Sequence, residues 1–299
     1  LKLLISYIRI IKEIKPNVVL TYTIKPNVYG GIAARLTSTK IIHTVTGLGT
    51  VYIQEIWQRK IIAFLNRISF KKAKKIFFLN KENREFYKQL RIIDTDRDTL
   101  IVPGSGVNLN IFKFHEPVIK DTITFTFIGR ILKDKGRDEF LIAAQSISSN
   151  YNNVRFRIVG FVDEDNYFEL LKDYENKGVI EYLGKRDDIP EVIKNSDCIV
   201  LPSYGEGRGT VLQEGAAIGR PLITTDTYGC RENVEDGYNG FLCKVADSES
   251  LENAMEKFIK LPPLKRVSMG NRSREKAENE FDRKIVTRAY LKEVMDTLR

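Results

Sequence analysis

Two glutamates eight positions apart, Glu206 and Glu214, stand in the run Leu201-Pro-Ser-Tyr-Gly-Glu-Gly-Arg-Gly-Thr-Val-Leu-Gln-Glu-Gly215. Glu206 lies in a loop with Gly205, Gly207 and Gly209, and glycine permits the positive φ and close backbone approach such a loop needs. The pattern predicts a helix starting near Thr210, with Glu214 about one turn in. A helix start aims free N–H groups and a partial positive charge at whatever lies before it. Two carboxylates beside an anion-binding helix end suit a ligand with hydroxyls at one end and phosphate at the other. A nucleotide-sugar is such a ligand.

A second group is Phe127-Ile-Gly-Arg-Ile-Leu-Lys-Asp-Lys-Gly136. A strand ends at Gly129, and Arg130 and Lys135 fall in the loop before a helix. Cations at the C-terminal end of a parallel strand face the ligand crevice. Arg offers two parallel donors and Lys a point charge, a pair able to clamp a diphosphate. Taken alone, the two bases read equally as an exposed loop, and Glu214 as an ordinary surface residue; together the three support one site. Pro103-Gly104-Ser105-Gly106-Val-Asn108 is either a plain turn or a loop whose amides face an anion. Asp163-Glu-Asp165 has the spacing of a metal-binding pair but sits in an acidic turn, and no metal is assigned to it. No G-x-G-x-x-G follows a strand, which argues against a dinucleotide enzyme. Two histidines and three widely spaced cysteines argue against a histidine metal site, a zinc site or a disulfide framework, and for a reducing compartment.

The elements that would carry these residues alternate. Strands are predicted at Val18–Tyr22, Ile41–Val45, Lys75–Leu79 and Thr99–Val102, with helices at Leu3–Ile14, Asn27–Leu36, Glu55 to about Lys72, and Glu82–Leu90. After a pause at Pro117 the alternation restarts, with strands near 123–128, 154–160, 179–183, 197–201, 221–224 and 240–243. Such alternation means parallel βαβ units. The expected fold class is α/β, with two Rossmann-like doubly wound domains. Residues 1–117 form the first, 118–280 the second, and 281–299 a C-terminal helix packing back toward the first. The second is expected to be complete. The first opens inside a helix and shows four strands, so about two βα units, on the order of 60 residues, are expected to be missing upstream.

Net charge is +9. Residues 1–115 hold 20 Lys and Arg against 7 Asp and Glu, and residues 116–299 hold 28 against 32. The basic excess of the first part fits a solvated surface, a face for anionic lipid or lipid-linked phosphate, or a nucleic-acid face. The lipid-facing reading is adopted, with no nucleic-acid partner. Gln54 to Lys75 combines apolar and aromatic positions with a basic flank, as either a membrane-surface helix or one buried against a sheet would. No run reaches the roughly 18–20 apolar residues of a membrane span.

In order and spacing, Gly129-Arg130, Lys135-Gly136, Asp197, Pro202-Ser203, Glu206 to Glu214, Gly219-Arg-Pro221 and Gly229-Cys-Arg-Glu232 resemble the retaining GT-B glycosyltransferases of family four. Ile24 to Gly31 and Thr46 to Ile53 look like members that build bacterial capsule, O-antigen and N-linked glycans on polyprenyl-diphosphate carriers. The resemblance covers nearly the whole chain. It implies a uridine-diphosphate sugar as donor, a polyprenyl-diphosphate-linked glycan as acceptor, retention of configuration, no metal or other cofactor, and a cytoplasmic location at the inner membrane face. Arg130 and Lys135 would neutralise the leaving diphosphate, Glu206 would hold donor-sugar hydroxyls and Glu214 the ribose. Gly129 and the backbone of Gly207, Arg208, Gly209 and Thr210 would meet sugar and phosphate, and Arg186 the base. Gly104, Ser105 and Gly106 would form a cleft loop, and Thr46 and Gly47 the acceptor loop. Members often carry a histidine where this chain has Thr46; His43 lies three residues earlier and is either a site residue or packing. The family's N-terminal glycine-rich loop is not seen, so this chain is expected to bind donor with little turnover. A glycan phosphorylase-like enzyme and a non-catalytic donor-binding fragment stay open as alternatives.

Overall fold

The computed structural model describes residues 2–47, 56–96, 98–162 and 165–299. The chain divides into two compact units, residues 1–105 with 284–299, and residues 106–283.

The first unit begins with α1 (Lys2–Ile14), β1 (Val18–Tyr22), α2 (Ile24–Leu36), β2 (Lys40–Val45) and α3 (Ile56–Phe70). β3 (Lys75–Phe78), α4 (Lys81–Gln89) and β4 (Thr99–Ile101) follow. The four strands form one parallel sheet in the order β1-β2-β3-β4. α2 starts three residues earlier than the sequence pattern predicts, because Pro26 is accommodated within its first turn, where no N–H is needed. β2 and β3 are buried along almost their whole length, as strands covered on both faces must be.

The second unit runs β5 (Ile123–Ile128), α5 (Arg137–Asn150), β6 (Val154–Val159), α6 (Asp165–Asn176), β7 (Glu181–Tyr182), α7 (Ile189–Lys194) and β8 (Cys198–Leu201). Then come α8 (Thr210–Ile218), β9 (Leu222–Thr225), β10 (Gly240–Cys243), α9 (Ser248–Lys260) and α10 (Pro263–Lys276). Its six parallel strands are ordered β10-β9-β8-β5-β6-β7. β7 is shorter than expected because the Val179 N–H turns back to the Tyr174 carbonyl and closes α6. Every side chain of β5 is buried. Its Phe125 and Phe127 pack with Phe140 and Phe156, ring centroids 5.6–6.0 Å apart. The Thr126 hydroxyl meets Ser196 Oγ at 2.6 Å, and the backbone N–H of Thr124 donates to Asp197 at 2.8 Å.

The division falls at 105/106, whereas Pro117 marks the boundary in the sequence. Residues 107–119 belong to the second unit because they pack on it. Val107 N–H donates to the Phe281 carbonyl at 2.7 Å, and Arg220 donates to the His115 carbonyl at 2.8 Å. The final helix, α11 (Arg283–Leu298), belongs from Lys284 onward to the first unit. There Tyr290 stacks on Phe77 at 3.9 Å and bonds Thr44 at 2.7 Å, while Lys40 Nζ caps the Thr297 carbonyl at 2.6 Å. Among the described residues no helix is long and apolar enough to cross a membrane.

Candidate active site

In the second sheet the strand order reverses between β5 and β8, which are neighbours. Ligands of open parallel sheets bind beyond the strand ends at such a point. The loops leaving β5 and β8 are the two that carry Arg130, Lys135 and Glu206.

The β5 loop ends in a 3-10 turn, Lys133–Lys135, followed by Gly136 at φ 75°. An ideal Cβ on Gly136 would lie 2.0 Å from the Pro202 carbonyl oxygen, so only glycine lets the loops touch. Across that contact the Tyr204 N–H and the Ser203 hydroxyl donate to the Asp134 carbonyl at 2.8 and 3.1 Å. The Tyr204 hydroxyl donates to Glu139 at 2.6 Å. Burial first, and then this bond, push the phenol to about 12, so it stays a donor across the neutral range. The result is a salt bridge, Lys135 Nζ to Glu206 Oε1 at 2.5 Å. These side chains are only 17% and 15% exposed, so water screens the pair far less than it screens a surface pair.

The turn after β9 holds Glu206 from its other side. The Glu206 N–H donates to the Tyr228 carbonyl at 3.1 Å. Gly229, at φ 73°, leaves no room for a Cβ, which would sit 2.0 Å from the Glu206 carbonyl oxygen. Buried Asn233 then donates to the carbonyls of Arg208, Gly229 and Cys230 at 3.0–3.2 Å. Gly207 and Arg208 are half-buried in this frame, and Gly209, at φ 52°, turns the chain into α8. Thr210, the first residue of α8, is exposed.

Glu214 lies further along α8, half-buried, with no hydrogen bond or ion pair among the described residues. Desolvation raises its carboxyl from 4.5 to about 7. Arg130 is exposed and likewise unpaired among the described residues. Gly129 has neither a positive φ nor a crowded neighbour, the nearest atom to an ideal Cβ being Phe127 Cε1 at 3.9 Å. Its open flank leaves room for a ligand.

The other expected residues have surroundings of their own. Arg186 makes a bidentate pair with Asp188 at 2.8 and 2.6 Å, with side chains 43% and 46% exposed. It lines a cavity of about 600 Å³ on the sheet face bearing Thr124, Arg155, Arg157 and Glu181. His43 has the surroundings of a packed residue. It is fully buried on β2, bonded through Nδ1 to Thr21 at 2.7 Å and stacked on Phe70 at 4.3 Å. Burial lowers its pKa to about 4, so it is neutral at physiological pH. Thr46 and Gly47 follow β2 in the first unit, half-buried; the acceptor-loop stretch after them, 48–55, lies outside the described residues. Gly104 is buried and Ser105 exposed at the end of the first unit. Gly106 is glycine for a packing reason, because a Cβ would lie 2.6 Å from Arg283 Cα. Asp163 also lies outside the described residues. Tyr204, Glu139 and Asn233 were not singled out in the sequence, since one buried polar residue looks like any other until its partners are known.

Two parallel α/β units, the second with a half-buried Lys–Glu pair at a strand-order reversal, have the GT-B fold of glycosyltransferases. HepE of Anabaena, crystallised with UDP, superposes with a TM-score of 0.85 at 18% identity over 98% of this chain and 82% of that one. The pattern of the glycosyl transferases group 1 family matches residues 110–276, and that of the glycosyl transferase 4-like family matches residues 1–80. The chain belongs to the glycosyl transferases group 1 family. It is 27% identical to the N,N'-diacetylbacillosaminyl-diphospho-undecaprenol alpha-1,3-N-acetylgalactosaminyltransferase of Campylobacter jejuni, over 95% of this chain and 78% of that protein. It is 28% identical to the UDP-Gal:alpha-D-GlcNAc-diphosphoundecaprenol alpha-1,3-galactosyltransferase of Escherichia coli, over 85% of this chain and 69% of that protein.

Proposed function

We propose that this chain moves a hexosyl group from a uridine-diphosphate sugar to a polyprenyl-diphosphate-linked glycan, with retention of configuration, in bacterial surface-glycan synthesis. The observation that carries the reading is the Lys135–Glu206 pair, held at the switch point by the loops leaving β5 and β8, with Arg130 on the first of these loops and Glu214 on the helix that follows the second. In the free protein each member of the pair neutralises the other. A bound donor would take both: the diphosphate attracts Lys135, and the sugar hydroxyls donate to Glu206. Glu214 would accept from the ribose hydroxyls. The acceptor and the membrane location rest on the names of the relatives, whose substrates are diphospho-undecaprenol-linked.

When the bond between the anomeric carbon and the phosphate oxygen breaks, negative charge collects on the departing diphosphate. Arg130, Lys135 and the first N–H groups of α8 stabilise that charge more than they stabilise the bound ground state, which is the catalytic contribution. No metal is assigned a role in this scheme. The acceptor hydroxyl enters from the face the diphosphate leaves. UDP-hexoses carry the phosphate in the α position, and the alpha linkage named for the E. coli relative is the retained product of such a donor.

Incubating the protein in its full natural length with radiolabelled UDP-hexoses and a polyprenyl-diphosphate-linked saccharide should label the lipid, and NMR of the product should show an α linkage. Lys135→Ala and Glu206→Ala should each lower transfer by about 100-fold or more. Near-normal transfer by either variant removes that residue from the mechanism.

A further inference from the structure

Gly205 precedes Glu206 and does not have a positive φ, so its backbone conformation does not require glycine. Its neighbour does. An ideal Cβ there would lie 2.6 Å from both Cζ and Oη of Tyr228, and 3.0 Å from Cε2. The Tyr228 ring therefore lies across Gly205, with its hydroxyl end against the residue next to Glu206. Two further contacts fix this arrangement: the Glu206 N–H to the Tyr228 carbonyl, and the Gly229 backbone against the Glu206 carbonyl. The ring is half-buried, yet its hydroxyl has no hydrogen-bond partner among the described residues. A phenol is both donor and acceptor, so this hydroxyl is open to a ligand.

We propose that Tyr228 is a specificity-determining residue for the donor sugar, its hydroxyl bonding a substituent of the hexose ring beside those held by Glu206. The proposal rests on the donor reading of Glu206. A ring in that place would reward one arrangement of substituents and obstruct another. Discrimination of this kind is strong because a mismatched epimer leaves a polar group unpaired.

The test is calorimetry on the wild type and on Tyr228→Phe, which removes one oxygen and keeps the ring. The probes are UDP alone, UDP-glucose, UDP-galactose and their two N-acetylhexosamine counterparts. Wild type should bind UDP and bind one UDP-sugar at least about 10-fold more tightly than its epimer. Tyr228→Phe should keep UDP affinity within about 2-fold while that ratio falls toward one. Gly205→Ala, which displaces the ring, should lower the ratio in the same way. An unchanged ratio in Tyr228→Phe, with UDP still bound, overturns this proposal alone. Equal loss of UDP and UDP-sugar binding in Tyr228→Phe assigns the residue to the frame of the loop and also overturns it. A wild type that does not bind UDP overturns the donor reading and this inference with it.

Discussion

Glu214 has no cation or hydrogen-bond donor beside it among the described residues, and desolvation alone lifts its carboxyl to about 7. The folded chain therefore holds this proton more tightly than the unfolded chain, whose carboxyl titrates near 4.5. The associated stability is complete below about 4.5 and is lost as pH rises through 7. Glu214→Gln should accordingly melt close to wild type at pH 5 and higher than wild type at pH 8, a gain on the order of 1–3 kcal/mol. A melting difference that stays flat from pH 5 to 8 contradicts this. Binding should show the opposite sign, since the ionised carboxyl is the better acceptor for ribose hydroxyls. UDP-glucose, whose diphosphate has no proton to lose in this range, should bind more tightly at pH 8 than at pH 6 in wild type and equally at both in Glu214→Gln. The loop and helix that carry the two glutamates were legible in the sequence because of the glycines around them and the apolar run that follows. The partners of His43 were not, because a strand histidine facing Thr21 and Phe70 has the same letters around it as one facing solvent.

Strands announced themselves through runs such as Ile123–Ile128, whose continuous apolar and threonine pattern is that of a strand buried on both faces. The pairing of loops from different strands carried no such signal. Nothing in the string shows that Gly136 faces Pro202, that Gly229 faces Glu206, or that Tyr204 reaches Glu139. Those contacts set the distance between Lys135 and Glu206. Gly136→Ala combines an unfavourable φ with a 2.0 Å clash. It should cost about 2–5 kcal/mol in chemical denaturation and weaken UDP binding as Lys135 moves. Tyr204→Phe should cost about 1–2 kcal/mol by leaving the Glu139 oxygen without its donor. If Gly136→Ala left both melting and UDP affinity unchanged, the loop contact would not be what positions Lys135.

At the scale of the molecule, α11 returns from the second unit to the sheet of the first, where Tyr290 stacks on Phe77 and bonds Thr44. Tyr290→Ala should destabilise the first unit by about 3–5 kcal/mol, while UDP binding, assigned wholly to the second unit, survives. Loss of UDP binding in that variant would place part of the donor site outside residues 106–283. The two-unit α/β organisation was readable from the alternation of strands and helices. The boundary was not, because Pro117 looks like a linker until residues 107–119 are seen bonded to Phe281, Ile218 and Arg220. The central claim is that Arg130, Lys135, Glu206 and Glu214 hold one donor nucleotide, and calorimetric titration of UDP addresses it most directly. Wild type should bind one UDP per chain, and Arg130→Ala, Lys135→Ala and Glu214→Ala should each bind it about 10-fold or more weakly, since each removes a charged hydrogen bond. Wild-type affinity retained by all three variants, or no binding of UDP at all, would contradict the account.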